Sequence, residues 1–136
     1  MRRRLAIVVT LGSLAWLAPE SAPAQVPVSP APYAPLVQGW QQFFDVTWEP
    51  VARKGRSFVA GYVANTGGFP ARRVQLLVDG LDASGRTVSQ SVAWMGGELP
   101  PGIRAYFEVP APQPGVTYRV SVFAFDWVQT AAIQAP

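Results

Sequence analysis

The sequence predicts an all-β fold: antiparallel strands, about six to seven of them, packed as a β-sandwich. Three observations carry this. Apolar and polar residues alternate with period two through six short segments, the mark of half-buried strands. Strong turn chemistry separates these segments, as between Phe58–Ala64 and Val74–Val78, where Asn65-Thr66-Gly67-Gly68 intervenes. No stretch beyond the N-terminal leader repeats its apolar residues at helical spacing.

In chain order, residues 1–24 read as an export signal. Met1-Arg2-Arg3-Arg4 is a basic start, Leu5 to Leu17 is apolar, and Ala22-Pro23-Ala24 is an A-x-A-type cleavage site that makes Gln25 the new N-terminus. The apolar run falls well short of the ~20 residues a spanning helix needs, so no stable membrane span is expected after cleavage. The expected location is periplasmic or extracellular. The chain holds 11 Lys and Arg against 8 Asp and Glu. Cleavage removes Arg2, Arg3, Arg4 and Glu20, which leaves a charge near zero. Nucleic acid, which needs a clustered basic face, is not an expected partner.

Residues 25–39 hold Pro27, Pro30, Pro32 and Pro35 and read as an extended proline-rich linker. The P-x-x-P spacings could serve a proline-binding domain, but a stiff spacer needs only the composition. The β-domain is placed at residues 40–136. Its strands are expected at Phe43–Trp48, Ser57–Asn65, Arg72–Leu81, Thr87–Trp94, Ile103–Val109 and Val116–Trp127. In the fifth, Ile103, Ala105, Phe107 and Val109 point inward. In the last, Val116, Tyr118, Val120, Val122 and Ala124 point inward, and Phe123, Phe125 and Trp127 make the opposite face aromatic. Between strands, Asn65 suits an Asx-turn, Asp82-Ala83-Ser84-Gly85 a hairpin, and Pro100-Pro101-Gly102 a type II turn. Pro110, Pro112 and Pro114 exclude 110–115 from a central ladder.

These segments carry a family likeness. Gly61–Gly67 (GYVANTG), Val74–Arg86, Leu99–Val109 and Tyr118–Trp127 together resemble the bacterial FxLYD-type domains. These are small immunoglobulin-like or fibronectin-III-like β-sandwiches of exported proteins. The likeness covers about residues 56–127. Val78-Asp79-Gly80-Leu81-Asp82 is the nearest match to the name-giving motif and lacks its Phe and Tyr. The resemblance implies the fold and an exported setting, and carries over no catalytic residue.

The residue inventory points away from enzyme chemistry. The chain has no His and no Cys, which removes Ser-His and Cys-His nucleophiles and thiolate or imidazole metal sites. A glycosidase pair could be drawn from among Asp79, Asp82 and Glu98, and a calcium loop from Asp79/Asp82/Ser84. The second lacks the D-x-[DN]-x-[DN]-G spacing, and surface or turn acids explain both. No cofactor and no metal are expected. Arg53-Lys54-Gly55-Arg56 and Arg72-Arg73 read as solvated turns.

The reading is therefore a non-catalytic module with a protein-interaction or envelope-associated role, its partner an unknown protein or envelope component. Its surface would be an open sheet edge or an exposed aromatic patch. The alternative is a carbohydrate-binding module that stacks sugars on Trp94, Phe123, Phe125 and Trp127, with burial of these rings in the core as the competing explanation.

Overall fold

The structure, a computed structural model, describes residues 32–129. The expected export signal and its cleavage point lie outside the described residues. Among those described, seven strands follow a short 3-10 turn at Trp40–Gln42. They are β1 (Phe44–Arg53), β2 (Arg56–Asn65), β3 (Ala71–Leu81), β4 (Thr87–Trp94), β5 (Glu98–Leu99), β6 (Arg104–Pro110) and β7 (Thr117–Trp127).

Two antiparallel sheets result. The first has the order β1-β2-β6. The second is centred on β3. Its one edge carries β4 opposite Gln75–Leu81 and the two-residue β5 opposite Ala71–Arg72. Its other edge carries β7 over the whole length from Ala71 to Leu81. The sheets share one core, to which Val59, Val63 and Phe107 come from the first and Val74, Leu76, Val78, Val120 and Val122 from the second. The fold is thus all-β and two-layered, as the alternation of apolar residues predicts.

The turn chemistry shows where it was expected. Gly85 N–H donates to Asp82 O (3.0 Å) in the β3–β4 hairpin. Ile103 N–H donates to Pro100 O (3.2 Å), and Gly102 takes φ 75°, the positive value a type II turn requires at its third position. Asn65 is fully buried, and its Oδ1 accepts from Gly67 N–H at 2.8 Å, closing the Asx-turn. Its Nδ2 donates to Phe69 O (2.8 Å) and Leu99 O (2.9 Å), so one side chain ties the β2–β3 loop to β5.

Three expectations need correction. First, β1 does not stop at Trp48 but runs through Pro50 to Arg53. Pro50 is accommodated because β1 is an edge strand, where a missing N–H costs no ladder bond. The strand turns into β2 through Lys54-Gly55, with φ values of 49° and 75°, the two positive angles of a type I′ hairpin. Second, β7 contains a bulge. Val122 lies opposite Leu76 and Ala124 opposite Gln75, so Phe123 is an extra residue. The extra residue reverses the inward phase: Val120 and Val122 are core before it, while Phe125 and Trp127 pack on the core after it, in place of Ala124. Third, Ile103 and Val116, expected inward, lie just outside β6 and β7 and are exposed.

Candidate functional site

The bulged strand β7 also carries the most unusual edge of the molecule. One side of it pairs with β3; the other has no strand partner among the described residues. Two isolated hydrogen bonds reach that free side. Trp48 Nε1, from β1 in the other sheet, donates to Tyr118 O at 2.9 Å. Leu36 N–H donates to Phe123 O at 2.8 Å. Strand alternation points the backbone groups of Val120 and Val122 the same way as those of Tyr118, toward the stretch between the two bonds, where both residues are buried, at 2% and 0% exposure.

Leu36 belongs to a stretch read from the sequence as spacer. Residues 33–36 instead cross the outer face of the second sheet as a strap, from β4 to β7. At the β4 end, Gln90 grips the Tyr33 backbone in both senses: Tyr33 N–H donates to Gln90 Oε1 (2.8 Å), and Gln90 Nε2 donates to Tyr33 O (2.9 Å). The Tyr33 ring meets Phe123 edge-on, centroids 6.0 Å apart. Proline at 35 suits this path, because the segment offers few N–H groups and cannot complete a ladder along β7.

A three-residue polar row lies beneath the strap. Strand register sets Gln90 opposite Asp79 and Asp79 opposite Arg119. Gln90 Nε2 donates to Asp79 Oδ1 (2.8 Å), and Arg119 donates to Asp79 Oδ2 from Nη2 (2.7 Å) and Nε (3.1 Å). Asp79 is only 4% exposed, and these bonds compensate the burial of its charge. Between the strap, this row and the free side of β7 lies a cavity of about 420 Å3. Tyr33, Trp40 and Trp48 wall it, Leu77 contributes apolar floor, and β7 borders it at Arg119, Val120 and Ser121. A cavity with aromatic walls, a few fixed polar groups and unpaired strand backbone can hold an extended, uncharged segment. The Asp79–Arg119 pair already neutralises its only ions.

The four aromatics singled out from the sequence are not assembled into one surface. Trp94, 66% exposed, stands on β4 with no ring contact to the other three. Phe123 lies against Tyr33. Phe125 and Trp127 meet at 74° and pack on the core, with Trp127 stacked on Phe44 at 5.9 Å. A second exposed patch lies on the outer face of the first sheet, where Arg104 sits 4.3 Å over Tyr62 and Tyr106 meets Tyr62 edge-on. Its pocket, about 230 Å3, is smaller than the strap cavity and has no buried polar group of its own.

Two of the acids considered for catalysis or calcium, Asp79 and Asp82, are taken up in structural hydrogen bonds. Asp82 Oδ1 accepts from Ser84 N–H, Ser84 Oγ and Arg86 N–H, so it closes the β3–β4 hairpin. The Ser84 hydroxyl, then the Arg86 amide, hold its carboxyl below its ordinary value. Among the described residues, no three His, Cys, Asp or Glu are grouped to hold a metal ion, and no helix is long and apolar enough to cross a membrane.

Comparison of the chain with models of protein families, with characterised proteins and with solved structures finds no match to any of them.

Proposed function

We propose that this chain is an exported, non-catalytic recognition domain that binds an extended segment of a partner protein along the free side of β7. One observation carries the reading: among the described residues an 11-residue strand is paired on one side only, and its other side faces an aromatic-walled cavity. Added strands gain affinity from main-chain hydrogen bonds and selectivity from pockets for alternate side chains, and this edge offers both. The strand order, β1-β2-β6 over β4-β3-β7, supports an immunoglobulin-like sandwich. In that architecture the place beside β7 belongs to a further strand, and none of the described residues fills it. The resemblance to FxLYD-type domains and the signal-like pattern of residues 1–24 are what support an exported setting.

The test is selection of a displayed random-peptide library on the folded protein, followed by amide hydrogen exchange. Selected peptides are expected to slow exchange at Val120 and Val122. Peptides that bind but shield other amides, or no selected binder at all, would refute the edge as the site. Glycan-array binding lost in Trp94→Ala would move the reading to carbohydrate. Export is checked separately by N-terminal sequencing of envelope protein, where Gln25 is the expected first residue and an intact Met1 the contrary result.

A further inference from the structure

From the strap itself we infer what the β7 edge recognises: an extended, uncharged aromatic-x-Pro-aliphatic segment, of which Tyr33-Ala34-Pro35-Leu36 is a built-in copy. The inference rests on the reading of β7 as a binding edge and names its ligand. The strap is held by contacts that a segment from another protein could make equally. Gln90 reads one backbone unit through a donor and an acceptor, at 2.8 and 2.9 Å, without reading its side chain. Phe123 receives an aromatic ring edge-on at the same residue. Two residues on, Pro35 lines the cavity, and one further Leu36 supplies the single N–H that reaches Phe123 O.

The floor explains the lack of charge. Asp79 is buried and its oxygens are taken by Gln90 and Arg119, so an added carboxylate or ammonium would lie over a neutral pair with no partner of its own. The strap is also detachable in energetic terms. It hangs on three hydrogen bonds and one ring contact, its Leu36 side chain is exposed, and it belongs to none of the strands. Held in the same chain, it competes with any outside segment at the high effective concentration of an intramolecular ligand. A partner of the same pattern would displace it and take its place, and it could then extend along Val120 and Val122, where the strap makes no bond.

The experiment titrates a synthetic peptide of residues Pro32–Gln38 into the full-length chain and follows the Val120 and Phe123 amides by NMR. The receptors are the unmodified chain and the double variant Tyr33→Ala/Leu36→Pro, which removes the ring contact to Phe123 and the Leu36 N–H that bonds Phe123 O, and so loosens the strap at its β7 end. The double variant should bind the peptide about tenfold more tightly than the unmodified chain, as expected when a tethered competitor is released. Adding Gln90→Ala should then weaken binding about tenfold, in line with two lost hydrogen bonds. Equal binding by both receptors, or equal binding of a peptide that carries the same two substitutions, would overturn the inference. If the double variant does not fold, Leu36→Pro alone serves as the receptor with the same criteria. If library-selected peptides shield Val120 and Val122 while the strap peptide does not bind, this ligand assignment falls and the edge reading stands. If neither binds, both fall.

Discussion

Replacing Asn65 by Ala tests how far one buried amide holds the two sheets together. The side chain is fully buried and makes three hydrogen bonds, to Phe69 O, Leu99 O and Gly67 N–H, at 2.8, 2.9 and 2.8 Å. Each is worth about 1 kcal/mol net, so the direct loss is about 3 kcal/mol. Leu99 O is then left without the Asn65 donor at a buried site, which adds about another 1 kcal/mol. The total, about 4 kcal/mol, is a large fraction of the roughly 5–15 kcal/mol that stabilises a domain of this size. Urea unfolding followed by tryptophan fluorescence reads it directly, since Trp127 packs on Phe44 at the start of β1. Asn65→Asp separates the donors from the acceptor. It keeps an oxygen for Gly67 N–H but turns negative charge toward two carbonyl oxygens. It should be at least as damaging as Ala at neutral pH, and should recover partly in acid, where a protonated carboxyl can donate one bond. A loss below about 1 kcal/mol in Asn65→Ala, or an Asp variant as stable as the parent at pH 7, would refute this account.

Three further outcomes follow from named contacts. Lys54 holds φ 49° in the β1–β2 turn, so Lys54→Asn should raise stability by about 0.5–1 kcal/mol, seen as a higher thermal midpoint. Trp48→Phe keeps an aromatic ring but removes the indole N–H that donates to Tyr118 O, and should cost about 1 kcal/mol in urea unfolding while accelerating exchange at the free side of β7. The lowered carboxyl of Asp82 contributes stability that is present above its ordinary value of 3.8 and is lost as pH falls through the folded-state value. The gap in urea midpoint between the parent and Asp82→Ala should therefore be full at pH 6 and narrow below pH 3.8; a gap independent of pH would contradict the assignment.

What was legible in the sequence was local chemistry. Asp82 and Gly85, Pro101 and Gly102, and Asn65 with Gly67 each define a turn within four residues, and each turn forms as read. Alternation located the strands because the two sheet faces differ in polarity. It failed at Phe123, since a bulge leaves no mark in a run where both faces are apolar or aromatic; the error then passed to Phe125 and Trp127, whose phase follows from it. Alternation marks the first strand only to Trp48, and only its edge position, a tertiary fact, makes Pro50 harmless in the continuation to Arg53. The candidate site was the least legible part. Gln90, Asp79 and Arg119 become a row only once register aligns three strands, and the strap depends on partners 57 residues away from Tyr33 in the chain. Residue type alone points to Trp94, Phe123, Phe125 and Trp127 as stacking aromatics, whereas Tyr33, Trp40 and Trp48 surround the cavity.

The strap has a mechanical consequence. A pull on the N-terminal side of residue 32 is met first by the two Gln90 bonds to Tyr33 and then by the single bond from Leu36 to Phe123. These attachments sit one after another along a segment that crosses the strands, so they part in sequence, like a zip. The ladder between β1 and β2 is ten residue pairs long and lies beyond them. Tension would thus peel the strap while the two sheets stay folded. A tethered chain of this design could have its β7 edge uncovered by load alone, without any change in composition or pH.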